Sequence, residues 1–259
     1  MTLIDEKIFQ KVRFRDFFSR NDGDGDGDGE VIEALVKRFN FITQWVISVI
    51  LSCSGAKDRA MLFRLFISVA ERLFQLRNYH GLKAIIGSLT SAPVFRLKES
   101  WSLVPRKFVS LFEELERAVS ADDNYHRFRH FLNEAAANNE PCIPWLGLYL
   151  KDVVFIQDAQ KTYLDLNSNS SSSISNSNCN SGSNHAVAAA ANQRKVINFL
   201  KCQMLLPIMQ AISDFQKHPY PFIPIPVIQE FLTKDWGVWK SDQDQYNRSL
   251  LVEPKNATM

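Results

Sequence analysis

The chain has 259 residues, enough for one large domain or two small ones. A hydrophobic share of 46% and a charged share of 22% are ordinary for a globular domain with a substantial core. The net charge of +2 argues against a dedicated nucleic-acid-binding protein, which usually carries a concentrated basic face.

The cysteines and the N-terminal residues narrow the class of protein further. The four cysteines are widely scattered and none forms a CxxC pair, so we expect neither a zinc site nor a disulfide framework. The first residues, MTLIDEKIF, are too polar for a signal peptide, and no apolar run approaches the ~20 residues of a membrane span. We therefore expect a cytoplasmic protein that does not insert directly into a membrane.

Residues 3–20 predict a short helix, and an Asp/Gly-rich loop at 21–30 follows it. A flexible surface repeat is the favoured interpretation of this loop, because Gly29 stands where a calcium-binding EF-hand normally has a hydrophobic residue, and because no second hand follows. Weak calcium binding is the alternative. Its ligands would be Asp22, Asp24, Asp26, Asp28 and Glu33, which have the spacing of an EF-hand loop.

From Val31 to Trp101 apolar residues recur at helical spacing, with a break at Gly55 and a turn at Asn78–Gly81. No long stretch here alternates with period two, so the pattern predicts an all-α domain. Two more helices are predicted around Pro105–Ala118 and Tyr125–Ala137.

The stretch from Pro141 to Gln160 predicts a helix with apolar residues nearly all round its axis. A surface helix needs only one apolar stripe, so this helix is either wholly buried or meets a partner on a second side. The Ser/Asn-rich residues at 160–193 follow, and they cannot bury enough apolar surface to order themselves.

The last part of the chain predicts an amphipathic helix over Arg194–Lys217, with Pro207 expected to kink or split it. The alanine-rich run before Arg194 is expected to extend this helix backwards, since alanine is the best helix former. A short helix is predicted at Val227–Leu232. The final residues are polar until SLLVEP.

Six ordered blocks resemble the catalytic domain of Ras-family guanine-nucleotide exchange factors of the Son-of-sevenless type. The resemblance covers nearly the whole chain apart from the two low-complexity inserts. The blocks are TLIDEKIF at 2–9, RFNFITQWV at 38–46, the run from RLFISVAERLF to FRLKESW at 64–101, PCIPWLGLYLKDVVFIQD at 141–158, VINF at 196–199 and DQYNRSLLVEP at 244–254.

This resemblance implies one catalytic domain over residues 1–259, with a projecting helical hairpin that carries the Ser/Asn-rich insert at its tip. In the family the hairpin displaces switch I of a small GTPase and stabilises its nucleotide-free state, without covalent chemistry and without a cofactor. The implied partner is a small GTPase of the Ras, Rap or Ral class, with no nucleic acid. Membrane recruitment by partners is also expected, as is a bracing N-terminal exchanger-motif domain or another chain in its place.

The resemblance also assigns roles to residues. Trp145, Lys151, Val154 and Asp158 stand on the hairpin helix, where Val154 and Asp158 are four residues apart and share one face. Asp158 replaces the more usual glutamate, and Lys151 a frequent threonine. The residues implied to bind the GTPase are Asn40, Lys83, Thr90, Phe95 and Asp152; of these, Thr90 replaces a common asparagine and Lys83 a common apolar residue.

A non-catalytic module that binds a GTPase or scaffolds other proteins is the alternative hypothesis. His126 and His130 lie four residues apart on one helix face, but without a third ligand nearby they predict ordinary surface histidines. Trp45, Trp101, Arg96 and Tyr149 are expected to be structural, with Arg96 in a buried ion pair as one interpretation.

Overall fold

The computed structural model describes residues 1–18, 29–165, 195–234 and 241–254. This part of the chain is mostly helical, which confirms the predicted all-α class. The helices are α1 (Thr2–Phe9), α2 (Glu30–Ser52), α3 (Ala56–Gln75), α4 (Tyr79–Thr90), α5 (Ala92–Phe95), α6 (Lys98–Ser102), α7 (Arg106–Ala118), α8 (Asp122–Ala137), α9 (Leu146–Ala159), α10 (Phe199–Gln216), α11 (Pro226–Thr233) and α12 (Asp242–Val252), with a 3-10 turn at Phe14–Phe17 and two short strands, β1 (Tyr163–Asp165) and β2 (Lys195–Ile197).

The structure divides into two compact units. The larger unit comprises Met1–Leu148 and Ala211–Met259, and the smaller comprises Tyr149–Gln210. The single domain expected over 1–259 stays a prediction.

Helix α4 lies in the core of the larger unit, where it packs against α2 and α3. It runs parallel to α2. Near its start the ring of His80 lies 5.7 Å from that of Phe39, and further along both helices the Ser88 hydroxyl donates to the Thr43 carbonyl at 3.3 Å. Most of α4 is therefore buried, and few of its positions are open to solvent.

A buried polar cluster joins α1 and α2 to the start of α4. The Asp5 carboxylate, which is fully buried, accepts hydrogen bonds from Arg38 Nε at 3.2 Å and from Asn78 Nδ2 at 2.8 Å. Asn78 in turn caps α4, because its side-chain oxygen accepts from the Gly81 amide at 2.9 Å. Asp5 of the TLIDEKIF block and Arg38 of the RFN block therefore join α1, α2 and the start of α4.

A second buried cluster fixes the C-terminal helix α12. Glu253, just after this helix, accepts hydrogen bonds from the backbone amides of Glu99 and Ser100 at 3.1 and 3.0 Å, at the start of α6. Arg59 of α3, which is 1% exposed, donates to the same carboxylate at 3.1 Å and to the Cys53 carbonyl at 2.9 Å. Glu253 therefore connects α3, α6 and α12.

In the smaller unit the strands β1 and β2 form an antiparallel pair, with Tyr163 opposite Ile197 and Asp165 opposite Lys195. The Asn198 side chain donates to the Lys161 carbonyl at 2.9 Å and closes this pair. The helix predicted over Arg194–Lys217 begins too early, because Lys195–Ile197 pair as a strand and α10 starts only at Phe199. The alanine-rich run expected to extend it backwards lies outside the described residues. The expected start of the Ser/Asn insert at 160 is also too early; residues 166–194 lie outside the described residues.

Two further expectations need correction. Of the two outcomes expected at Pro207, a split helix is wrong, because α10 runs unbroken from Phe199 to Gln216; a kink stays a prediction. The polar C-terminal residues form α12, which sequence periodicity missed because this segment, DQDQYNRSLLV, has few apolar residues to repeat at helical spacing. Its start is marked by Ser241, whose hydroxyl accepts from the Asp244 amide at 3.5 Å.

Within the described residues, α2 is long and apolar enough by composition to cross a membrane, so the expectation that no run approaches such a length missed this helix. Its apolar character has another explanation in this structure. Helix α2 packs against α1, α4 and α12, and Val46 and Ile50 along it are completely buried. Core helices commonly have this composition.

Candidate functional site

Helix α9 carries apolar side chains on both its buried and its exposed faces. Val153 and Ile156 are buried, whereas Val154 and Phe155 are 53% and 68% exposed. Asp158 lies one turn after Val154 and is also exposed. Helix α9 therefore has one buried apolar face and one exposed face that is both apolar and acidic. Phe155 belongs to the exposed face, although the sequence did not single it out as a contact residue.

The remaining predicted contact residues lie on several elements. Asn40 is exposed on α2, Lys151 is exposed on α9, and Asp152 beside it is half-buried. Phe95 at the end of α5 is 51% exposed, and the Lys98 ammonium lies 4.1 Å from the centre of its ring. A cation at this distance attracts the ring face and limits where the phenyl group can turn.

Only three positions of α4 escape full burial, namely Lys83, Gly87 and Thr90. Their spacing of four and three residues places them on one stripe of the helix. The Thr90 hydroxyl donates to the Ile86 carbonyl at 3.0 Å, and a Cβ atom added to Gly87 would meet nothing within 4 Å. Two predicted contact residues, Lys83 and Thr90, thus share a narrow surface with an unobstructed glycine between them.

Trp145 is half-buried and held on several sides within the larger unit. Its ring lies 5.7 Å from the ring of Tyr125, and the Lys83 ammonium lies 5.4 Å from its centre. A Cβ atom added to Gly147 would lie 2.3 Å from Cζ2 of the indole. The indole therefore rests on the backbone of the first turn of α9, and only glycine leaves room for it.

The Lys83 side chain makes contacts within its own chain although it lies on the open stripe of α4. Its ammonium donates to the Val119 carbonyl at 2.7 Å and lies 5.8 Å from the ring of Tyr125. Burial lowers the pKa of Lys83, while the nearby Glu116 acts in the opposite direction. The structure thus brings Lys83 and Trp145 together, two residues that the sequence placed in different parts of the site.

The start of α8 contains an unusual backbone segment. Asp123, Asn124 and Tyr125 all have left-handed angles, with φ of 48°, 52° and 61°. Such angles cost roughly 1–2 kcal/mol for each residue with a side chain. The turn is held by Arg129, whose Nε donates to the Asn124 carbonyl at 3.0 Å.

This left-handed segment corrects the predicted helix start at Tyr125, because right-handed helix begins only at His126. The sequence contained a signal for the turn, since Asp and Asn tolerate left-handed angles better than other residues with side chains. Nothing in the sequence, however, indicated that Tyr125 would meet Trp145.

The described residues contain no group of three or more side chains that could hold a metal ion. His126 and His130 are both exposed. Glu33, the last ligand of the candidate calcium loop, pairs with Lys37 at 2.7 Å on the surface of α2. The other candidate ligands, Asp22, Asp24, Asp26 and Asp28, lie outside the described residues.

The residues expected to be structural do pack within the chain. Trp101 stacks on Phe63 of α3 with ring centres 4.3 Å apart, and Trp45 contacts another phenylalanine of α3. Arg96 donates to the Ser249 carbonyl of α12 at 2.6 Å. Its guanidinium therefore anchors a helix through a backbone carbonyl.

Comparison with known proteins agrees with the resemblance drawn from the motifs. The chain is 30% identical over 265 positions to the Ras-specific guanine nucleotide-releasing factor RalGPS1 of Gallus gallus, covering 100% of this chain and 40% of that protein. It is 31% identical over 230 positions to RalGPS2 of Homo sapiens, covering 87% and 34%. It is 27% identical over 260 positions to Ras guanine nucleotide exchange factor K of Dictyostelium discoideum, covering 99% and 15%.

The chain thus spans 40% or less of the length of these relatives. The sequence model of the RasGEF domain matches residues 1–203, which is most of the chain. The chain belongs to the RasGEF domain family.

Proposed function

We propose that this chain is a guanine-nucleotide exchange factor for a Ras-family small GTPase. Membership of the RasGEF family and the names of its relatives support this proposal. The observation that carries it is the exposed pair on α9, where Val154 is 53% exposed and Asp158 lies one turn further on. Val154 does not contribute to core packing, and together with the exposed Phe155 it forms an apolar surface that a partner can contact.

In the proposed mechanism, α9 enters the nucleotide site of the GTPase. The Val154 side chain occupies the space of the magnesium ion, and the Asp158 carboxylate repels the nucleotide phosphates. Both effects weaken GDP binding, while the complex with the nucleotide-free GTPase is stabilised. The coupling is reciprocal, so a nucleotide that rebinds weakens the hold of the exchange factor by the same factor. Cellular GTP then fills the site by mass action.

Lys83 and Asp158 depart from the common family pattern, yet neither departure opposes the proposal. The Lys83 ammonium donates a hydrogen bond to the Val119 carbonyl of its own chain, so this donor is already held within the chain when a partner binds. Asp158 keeps the negative charge of glutamate on a side chain one methylene shorter. The partner GTPase and recruitment of the chain to a membrane by other proteins are parts of the same proposal.

The test is release of a fluorescent GDP analogue from Ras, Rap and Ral proteins, with and without this chain. We expect acceleration for at least one of these GTPases. Trp145→Ala and Val154→Glu should each lower the rate at least about 30-fold, as expected for anchor residues of an interface. Far-ultraviolet circular dichroism should remain unchanged in Val154→Glu, because the side chain is exposed.

The matched control is Val227→Glu, which places the same charge at a valine that is 75% exposed on α11. This variant should exchange nucleotide at the wild-type rate. If this chain at micromolar concentration accelerates GDP release from none of these GTPases, the proposed exchange function is overturned. Binding to a nucleotide-free GTPase without acceleration would instead support a non-catalytic scaffold, and full activity of Val154→Glu would remove α9 from the site.

A further inference from the structure

The indole of Trp145 is confined by three groups of its own chain. The backbone at Gly147 supports one side, the Tyr125 ring lies 5.7 Å away, and the Lys83 ammonium lies 5.4 Å from the ring centre. The side chain is nevertheless only half-buried. A large aromatic group is therefore held in one place while part of its surface stays open to a partner.

Lys83 is held in this arrangement by contacts with three other residues. Its ammonium is fixed by the Val119 carbonyl at 2.7 Å and lies within 6 Å of both aromatic rings. At such distances a cation attracts the electron-rich faces of indole and phenol rings. Lys83 thus links the end of α7 to the two rings and limits the rotation of both.

Tyr125, which contacts the indole, is the last residue of the left-handed turn at the start of α8. Three successive residues with side chains, Asp123 to Tyr125, adopt these unfavourable angles. Backbone strain of this kind persists only where surrounding contacts impose it, and it concentrates at functional sites. The bond from Arg129 Nε to the Asn124 carbonyl holds the turn in this form.

We propose that Lys83 and Tyr125 are positioning residues, which hold the Trp145 indole in the orientation that contacts the GTPase. This inference rests on the proposed function and deepens it. A side chain that is already immobile in the free protein loses less conformational entropy on binding. Releasing one large side chain should therefore weaken the complex with a nucleotide-free GTPase about two- to tenfold.

The first test compares variants in binding and in exchange. Tyr125→Ala and Lys83→Met should each raise the Kd for the nucleotide-free GTPase about two- to tenfold and lower kcat/KM to match. Tyr125→Phe keeps the ring and should restore wild-type values. Lys107→Met is the matched control, because the Lys107 ammonium lies 5.1 Å from the Phe108 ring elsewhere on the surface, and it should have no effect.

The second test observes Trp145 itself, without any GTPase. The chain contains five tryptophans, so protein labelled with 5-fluorotryptophan should give a fluorine NMR signal for each, and the signal missing in Trp145→Phe is that of Trp145. In the wild type we expect this signal to be narrow and away from the solvent-exposed position. In Tyr125→Ala and Lys83→Met it should move towards that position, whereas Tyr125→Phe should leave it in place.

The two tests separate this inference from the proposed function. A wild-type chain that accelerates exchange on no GTPase overturns the proposed function, and the fluorine signal then decides alone whether Lys83 and Tyr125 position the indole. An unchanged Trp145 signal in Tyr125→Ala overturns the positioning role. So does a wild-type kcat/KM in that variant when the wild-type chain is active, since a mobile indole would then bind equally well.

Discussion

The carboxylate of Glu253 shows how a single residue near the end of the sequence ties distant helices together. Burial alone would raise its pKa, but hydrogen bonds from Ser100, Arg59 and the Glu99 amide outweigh burial and lower the pKa below the ordinary value of 4.5. A group with a lowered pKa stabilises the fold above its unfolded-state value, and this contribution is lost as the pH falls through the lowered value.

We expect Glu253→Gln to lower the free energy of unfolding by about 1–3 kcal/mol near neutral pH, because a charged acceptor of several hydrogen bonds is lost. The difference from the wild type should shrink as the pH falls below 4.5, since the wild-type carboxyl group then takes up a proton. Urea unfolding over this pH range measures both effects.

The control for this substitution is Glu33→Gln on the surface of α2. Glu33 and its partner Lys37 are 61% and 73% exposed, so their ion pair contributes at most about 1 kcal/mol. A Glu253→Gln protein that unfolds at the same urea concentration as this control would show that the buried cluster does not stabilise the fold.

At the scale of one helix, α4 combines a buried body with a single open stripe. Gly87 lies on this stripe between Lys83 and Thr90, and its own chain leaves the space for a side chain empty. Glycine inside a helix is less favourable than alanine by about 1 kcal/mol. We expect Gly87→Ala to raise the free energy of unfolding by about 0.5–1 kcal/mol, measured by urea unfolding.

The larger Gly87→Leu should leave the fold intact but lower exchange at least about tenfold if the GTPase packs on this stripe. Gly147→Ala is the contrasting control, because its added methyl group overlaps the indole of Trp145 and should lower stability. Wild-type exchange by Gly87→Leu would exclude the α4 stripe from the interface with the GTPase.

The elements differ in how far the sequence predicts them. Helices α2, α3 and α4 follow from apolar periodicity, because their packing requires a regular apolar face. Helix α12 does not, since it is held by polar contacts such as that of Arg96 with Ser249, which leave no periodic trace. Strands β1 and β2 are too short for a pattern, and they depend on residues far apart in sequence.

The same limit applies to the candidate site. The motif comparison located Trp145, Val154 and Asp158, because their spacing within one helix block is local. The contact of Tyr125 and Lys83 with Trp145 depends on a left-handed turn and on the packing of α4, which are tertiary features. Local propensity cannot specify which side chains meet across such distances in the chain.

At the scale of the whole molecule, both ends of the larger unit are fixed by buried polar clusters. Asp5 ties α1 to Arg38 of α2, and Glu253 ties the end of α12 to Arg59 of α3. Breaking a buried pair leaves an uncompensated charge, so the first cluster couples α1 to α2 and the second couples the end of α12 to α3. The first and last family blocks therefore stabilise the same core as the central blocks.

In the smaller unit, the paired strands β1 and β2 flank residues 166–194. The facing residues Asp165 and Lys195 can be joined by Asn-Gly, which suits a two-residue hairpin turn. Loop-closure cost falls by about 0.6 kcal/mol for each halving of loop length, so this replacement should stabilise the protein by roughly 2 kcal/mol. Thermal unfolding should show a higher Tm, and nucleotide release should proceed at the wild-type rate, since every proposed contact residue is retained. A shortened protein that is stable but inactive would instead place part of the exchange function in the Ser/Asn-rich insert.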